Sequence, residues 1–216
     1  TIERPTYLPQ VEQWKEELWD EKPRTIEPLQ SYVTNGFDAG DLQIVTEAVR
    51  EYQFIGEDYT QIAMTVYRSV PYLGKSDLQD RPGRESGTKV RTEETRHMNE
   101  SIQARYYLRV LGNADDEYSC AQFAKEMLTP LIGYQAASFR NNTDEFVLSI
   151  ADEMNLPPTH SLVEVEGEVV CSTIKKDSRG TIVRLYNPKR NDSAEARLNN
   201  KTIELKTCQF EDLLID

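Results

Sequence analysis

Lys75, Asp77, Asp80, Arg81, Arg84 and Glu85 set six charges around a Pro82-Gly83 turn. A guanidinium is a rigid fork of donors that suits sugar hydroxyls, a carboxylate or a phosphate. Lys75, Arg81 and Arg84 form a local positive cluster in a chain of net charge −12, where an anionic or hydroxyl-rich ligand is drawn. An Arg–Asp pair that only pins the loop is the alternative, and the residues alone leave both readings open. Tyr72, upstream of the cluster, and Tyr106-Tyr107 are candidate aromatic platforms for a sugar; packing within the fold is their simpler role. Other catalytic chemistry finds little footing. His97 and His160 are far apart and stand in neither an H-x-D nor an H-E-x-x-H pattern, so both read as loop residues rather than zinc ligands. No Gly-x-Ser-x-Gly elbow, phosphate-cradling loop or dinucleotide fingerprint occurs. A retaining glycosidase needs two carboxyls about 5 Å apart, and 37 acidic residues do not single out such a pair.

The charged loop must be positioned by strands. Ile62, Met64 and Val66 alternate with Ala63, Thr65 and Tyr67, the period-2 pattern of a strand with one buried face, over Ile62–Tyr67. Pro71 and Gly74 end it, and a long irregular loop is expected to follow. Upstream, Leu29–Thr34, Leu42–Thr46 and Glu51–Ile55 read as strands with turns at Asn35-Gly36 and Ala39-Gly40-Asp41, so a hairpin is expected there. Downstream, Ser101–Leu111 is expected as a strand with Ile102, Ala104, Tyr106, Leu108 and Val110 on one face. Thr88–Glu100 is polar and expected to be exposed. Cys120, Phe123, Ala124, Met127 and Leu128 follow helical spacing over Ser119–Thr129, with Ser119 as N-cap and Pro130 as stop. Phe146–Ala151, Ser161–Val165, Val169–Lys175, Thr181–Asn187, Ala194–Leu198 and Thr202–Leu205 read as further strands. Turns are expected at Glu166-Gly167, Ser178-Arg179-Gly180 and Asn199-Asn200. A second, short helix is expected over Val11–Asp20, bracketed by Pro9 and Pro23. Many short strands and few helices predict a mainly β fold, an antiparallel β-sandwich.

The stretch R-S-V-x-x-L-G-K-x-D-L-x-x-R-P-G-R-x-S-G, over Arg68 to Gly87, resembles the C-terminal β region of bacterial α-mannosidases of glycoside hydrolase family 38, nearest the mannosylglycerate hydrolases. Glu126-Met127-Leu128-Thr129-Pro130-Leu131 with Tyr134-Gln135 agrees in order and spacing. So does Cys171-Ser172-Thr173-Ile174-Lys175-Lys176 followed by Ile182-Val183-Arg184-Leu185-Tyr186-Asn187-Pro188. The resemblance spans about Pro28 to Pro188. It implies a galactose mutarotase-like supersandwich over residues 29–216, behind an N-terminal extension or linker at 1–28. It also implies a partner, the N-terminal catalytic barrel of the same polypeptide, which holds the zinc and the Asp nucleophile and hydrolyses α-mannosidic bonds with retention. This chain then carries no catalytic residue and no metal of its own. An arginine of the family's D-x-R-G-like loop reaches toward the bound sugar. Asp80-Arg81-Pro82-Gly83-Arg84 occupies the comparable place, and the extra Pro82 leaves either Arg81 or Arg84 as its counterpart. Mannosylglycerate or its 6-phosphate would suit the fork. A stand-alone carbohydrate-binding module and a structural domain for oligomer contacts are the alternatives.

Composition sets outer limits on these readings. The balance of 37 acidic against 25 basic residues speaks against nucleic acid or an anionic membrane as partner. Apolar runs fall short of the roughly 18 residues of a membrane helix, and no signal peptide is evident. Cys120, Cys171 and Cys208 are odd in number and far apart, which predicts reduced thiols and a cytoplasmic protein. A chain that starts at Thr1 without Met is expected to be an excised piece, trimmed at its ends or lacking a last strand.

Overall fold

The computed structural model describes residues 27–28, 31–48, 51–56, 61–67, 69–78, 81–82, 88–92, 101–133, 138–142, 145–149 and 157–215. In chain order the strands are β1 (Glu27–Pro28), β2 (Tyr32–Thr34), β3 (Leu42–Thr46), β4 (Glu51–Ile55), β5 (Gln61–Met64), β6 (Tyr72–Leu73), β7 (Asp77–Leu78), β8 (Arg81–Pro82), β9 (Val90–Arg91) and β10 (Tyr106–Val110). Helix α1 (Glu117–Leu128) follows. Then come β11 (Ser138–Asn142), β12 (Glu145–Ser149), β13 (Val165–Gly167), β14 (Val170–Asp177), β15 (Gly180–Tyr186), β16 (Ala194–Leu198), β17 (Lys201–Leu205) and β18 (Phe210–Ile215). The fold is mainly β, and every strand pairing among the described residues is antiparallel. The chain divides into two compact units, residues 1–120 and 121–216.

In the first unit, β10-β3-β2 and β1-β4-β5 form two three-stranded sheets. Val33 and Ile44 are buried from the first sheet, and Tyr52, Phe54, Ile62 and Met64 of the second pack against them. Ile62 and Met64 are partly buried in that cluster, but Ala63 between them is half-buried as well, and the strand ends at Met64 with Tyr67 beyond it. The hairpin between β2 and β3 rests on a polar knot. Asn35 Oδ1 accepts the Leu42 amide at 2.7 Å, Asn35 Nδ2 donates to Asp41 Oδ1 at 3.0 Å, and the Gly36 amide donates to Thr34 Oγ1 at 3.2 Å. A Cβ on Gly36 would sit 2.2 Å from Asp41 Oδ2, so a larger residue there would displace the Asp41 carboxylate from the knot. Tyr106, Leu108 and Val110 do share a face of β10, but Leu108 is 65% and Val110 68% exposed. Residues 101–105 form no strand.

The second unit contains two three-stranded sheets, β13-β16-β17 and β14-β15-β18. One cluster draws on both: Ala194, Ala196, Leu198 and Leu205 from the first, Val183, Leu185 and Leu213 from the second. Strict alternation drives this, since Ala194, Ala196 and Leu198 are buried and Glu195 and Arg197 exposed. Burying each such valine or leucine contributes about 1.5–3 kcal/mol. Asn187, just past β15, is the polar centre of this unit and has no exposed surface. Its Nδ2 donates to the carbonyls of Asp192, Leu205 and Lys206 at 2.8, 3.3 and 3.2 Å, and its Oδ1 accepts the Lys189 amide at 3.0 Å. Gly167 closes the β13 turn at φ 99°, where a Cβ would meet the Glu195 carbonyl oxygen at 2.3 Å. Asn199 turns the β16–β17 hairpin at φ 52°, and its Oδ1 accepts the Glu164 amide at 3.0 Å.

Several element boundaries differ from the sequence expectation. The helix starts two residues early, because Asp116 rather than Ser119 caps it: the Ser119 amide donates to Asp116 Oδ1 at 2.9 Å. Ser119 instead completes the reciprocal bond, its Oγ accepting the Asp116 amide at 3.0 Å. The Ser161–Val165 stretch forms a strand only from Val165. β11 and β18 were not expected as strands. The expected helix at Val11–Asp20 lies outside the described residues.

Candidate functional site

The segment after β5 is not wholly irregular; it is held by two short ladders. Tyr72 lies opposite Arg91 and Leu73 opposite Val90, and the ladder is extended by the Thr92 amide donating to the Pro71 carbonyl at 3.0 Å. Thr92 Oγ1 also donates to the Val70 carbonyl. Gly74, at φ 75°, then turns the chain outward, a conformation cheap only for glycine. In the second ladder Asp77 lies opposite Pro82 and Leu78 opposite Arg81. Pro82 donates no N–H, so it fits only the end of a short pairing.

This frame decides which of the expected site residues meet. Tyr72 is half-buried, and Lys89 Nζ lies 5.3 Å from its ring centroid, a cation–π contact worth about 0.5–1 kcal/mol at an exposed position. Lys75 follows Gly74 and is half-buried. Arg81 is placed by its backbone in β8, while Asp80 and Arg84 lie outside the described residues. Tyr72 is therefore partnered with a cation rather than bare. Sequence reasoning passed over Lys89 and Arg91. Their signal was a basic–apolar–basic run, Lys89-Val90-Arg91, whose two cations fall on one side of a strand.

Two further charged constellations are better resolved. In the first unit, Arg109 Nη2 reaches Asp115 Oδ1 at 3.3 Å, Ser119 Oγ at 3.3 Å and Cys120 Sγ at 3.4 Å. Ser119 Oγ donates to Asp115 Oδ1 at 2.8 Å, and fully buried Gln43 donates from Nε2 to the Cys120 carbonyl at 2.7 Å. The Gly112 amide and then the Ser119 hydroxyl hold the Asp115 carboxyl below its ordinary range. Burial pushes the Cys120 thiol up, so it stays protonated and makes a poor nucleophile. The constellation caps a helix and carries no evident chemistry on a substrate.

In the second unit, Arg184 grips Asp212 with Nε and Nη2 at 2.5 and 2.9 Å, and Lys175 Nζ stands 4.0 Å from the same carboxylate. The Arg184 hydrogen bond is the main cause that lowers the Asp212 pKa. His160 is exposed and outside any strand or helix, and His97 lies outside the described residues. Among the described residues no group of three or more His, Cys, Asp or Glu side chains is placed to hold a metal ion. No helix among them is long and apolar enough to cross a membrane. Comparison of the chain with protein-family models, curated proteins and solved structures finds no match.

Proposed function

We propose that this chain is the C-terminal β region of an α-mannosidase-like glycosidase, packed on a catalytic barrel and lending its Lys75–Gly87 loop to the sugar cleft. Zinc and nucleophile belong to the barrel; this chain contributes shape and guanidinium donors from Arg81 or Arg84. The observation that carries the reading is the apolar root of that loop. Leu73 and Val90 face each other across β6 and β9, yet both are exposed. Leu108 and Val110 on β10 are exposed as well. Leu73 and Val90, apolar residues left in water at the root of a charged loop, are what a partner domain would cover. The three free thiols, Cys120, Cys171 and Cys208, favour the reducing cytoplasm.

The test is made in the full parent polypeptide. Arg81→Ala or Arg84→Ala should lower kcat/KM for an aryl α-mannoside by roughly 10- to 100-fold, as for the loss of a hydrogen bond to a charged group, with Tm unchanged. A parallel loss of Tm makes the arginines loop pins. The reading as a whole is overturned if the parent holds no glycosidase barrel, or if deleting residues 29–216 leaves its turnover intact.

A further inference from the structure

The outward face of the β14–β15–β18 sheet is a second surface whose chemistry the mannosidase reading does not use. Val183, Leu185 and Leu213 point into the core, so Ile182, Arg184, Tyr186, Phe210, Asp212 and Leu214 alternate onto the opposite face; Ile182 is buried there, and the open part runs along β18. Cross-strand pairing sorts these into rows. Tyr186 lies opposite Phe210, and Arg184 opposite Asp212, one row on. Rows two residues apart are separated by about 7 Å, little more than the width of one pyranose ring.

Each row has a defined geometry. Tyr186 and Phe210 are stacked, with ring centroids 4.9 Å apart and planes within 19°. Tyr186 is half-buried whereas Phe210 is 61% exposed, so one face of a pre-ordered stack is open to solvent. In the next row the Arg184 fork is fixed by Asp212, with Lys175 close by. Arg179, at the hairpin turn, is held by Asp177 at 2.8 Å. Three cations thus surround two carboxylates, a surplus of one positive charge on a chain of net charge −12.

A lone exposed phenylalanine needs no explanation. Here the ring is stacked flat, and a fixed planar ion pair shares its face one sugar-width away. We propose that this face is a contact surface for a pyranose bearing a single carboxylate, its C–H face on Phe210 and its carboxylate toward Lys175 and Arg184. A planar monoanion balances a surplus of one charge; a phosphate ester, nearer two negative charges at neutral pH, does not. The surface belongs to the second unit alone and does not depend on a catalytic barrel.

The experiment titrates the full chain, labelled with ¹⁵N, with an oligo-uronate, with neutral mannotriose and with mannose 6-phosphate. The oligo-uronate should shift amides of β15 and β18 with a Kd of order 1 mM or tighter, weakening as salt screens the charge. Phe210→Ala should weaken this at least about 5-fold, within the range of ring–ligand contacts, while the rest of the spectrum stays native. Lys175→Gln should abolish the preference for the acidic over the neutral sugar. No shift on these strands up to about 10 mM overturns the proposal, that concentration being ten times the expected Kd. Equal binding of mannotriose, or tighter binding of the phosphate, also overturns it.

Discussion

Asn187 and Asp115 show how much single polar side chains carry in this molecule. Asn187, itself fully buried, serves three carbonyls and one amide, of which its bond to the Leu205 carbonyl is buried and the rest part-buried. Asn187→Ala strands those groups, and each buried unsatisfied group costs about 1–3 kcal/mol. Urea unfolding of the second unit should therefore show a loss of at least about 2 kcal/mol. Asp115 predicts a pH effect of definite sign. Its folded pKa lies below the unfolded value, first through the Gly112 amide and next through Ser119. Its contribution is complete above the unfolded pKa of about 3.9 and fades as pH falls through the folded value. Asp115→Asn should therefore flatten the acid limb of the stability profile below about pH 4, measured by thermal melts across pH.

At the scale of elements, β3, β4 and β16 were legible to the residue: strict alternation marks β16, while β3 and β4 are marked by short strand-like runs between turn residues. The helix was legible in its apolar spacing but not at its start. Asp116 and Ser119 can both cap, and only the folded chain shows that each bonds the other's amide. β18 was missed because Phe210 to Ile215 presents apolar side chains on both faces, Leu213 buried and Leu214 exposed, so no alternation marks it. The ladders around Tyr72 and Arg81 were missed because two-residue pairings leave no periodic trace. For the site, the sequence marked the charged loop but could not show that Tyr72 is paired with Lys89. Nor could it show that Arg184 and Asp212, far apart along the chain, meet across a sheet. The tightest element boundary yields the next prediction. Gly167→Ala must place a methyl against the Glu195 carbonyl at an unfavourable φ, and strain of this kind costs about 1–3 kcal/mol. Hydrogen exchange should report faster opening of β13 and β16 while β15 keeps its protection.

For the whole molecule, the division into two compact units predicts two separable stabilities. Leu185 sits at the centre of the second unit's core with no exposed surface. Leu185→Ala should cost that unit about 2–5 kcal/mol. Amides of β3, in the first unit, should keep their exchange rates, and a uniform loss across both units would show a single cooperative block. The knot at Asn35 bears on a different property, how the protein ages in solution. Asn-Gly sequences deamidate when the glycine amide attacks the asparagine side chain to form a succinimide. Here the Gly36 amide is committed to Thr34 and both ends of the Asn35 carboxamide are tied down, to Leu42 and to Asp41. The folded hairpin shields its own weakest covalent link, and every unfolding excursion exposes it. Conversion to aspartate would set a new carboxylate against Asp41 and erase the bond that held the turn. Molecules damaged this way would reopen more readily, so each conversion at Asn35 leaves a hairpin permanently looser than the one it started from.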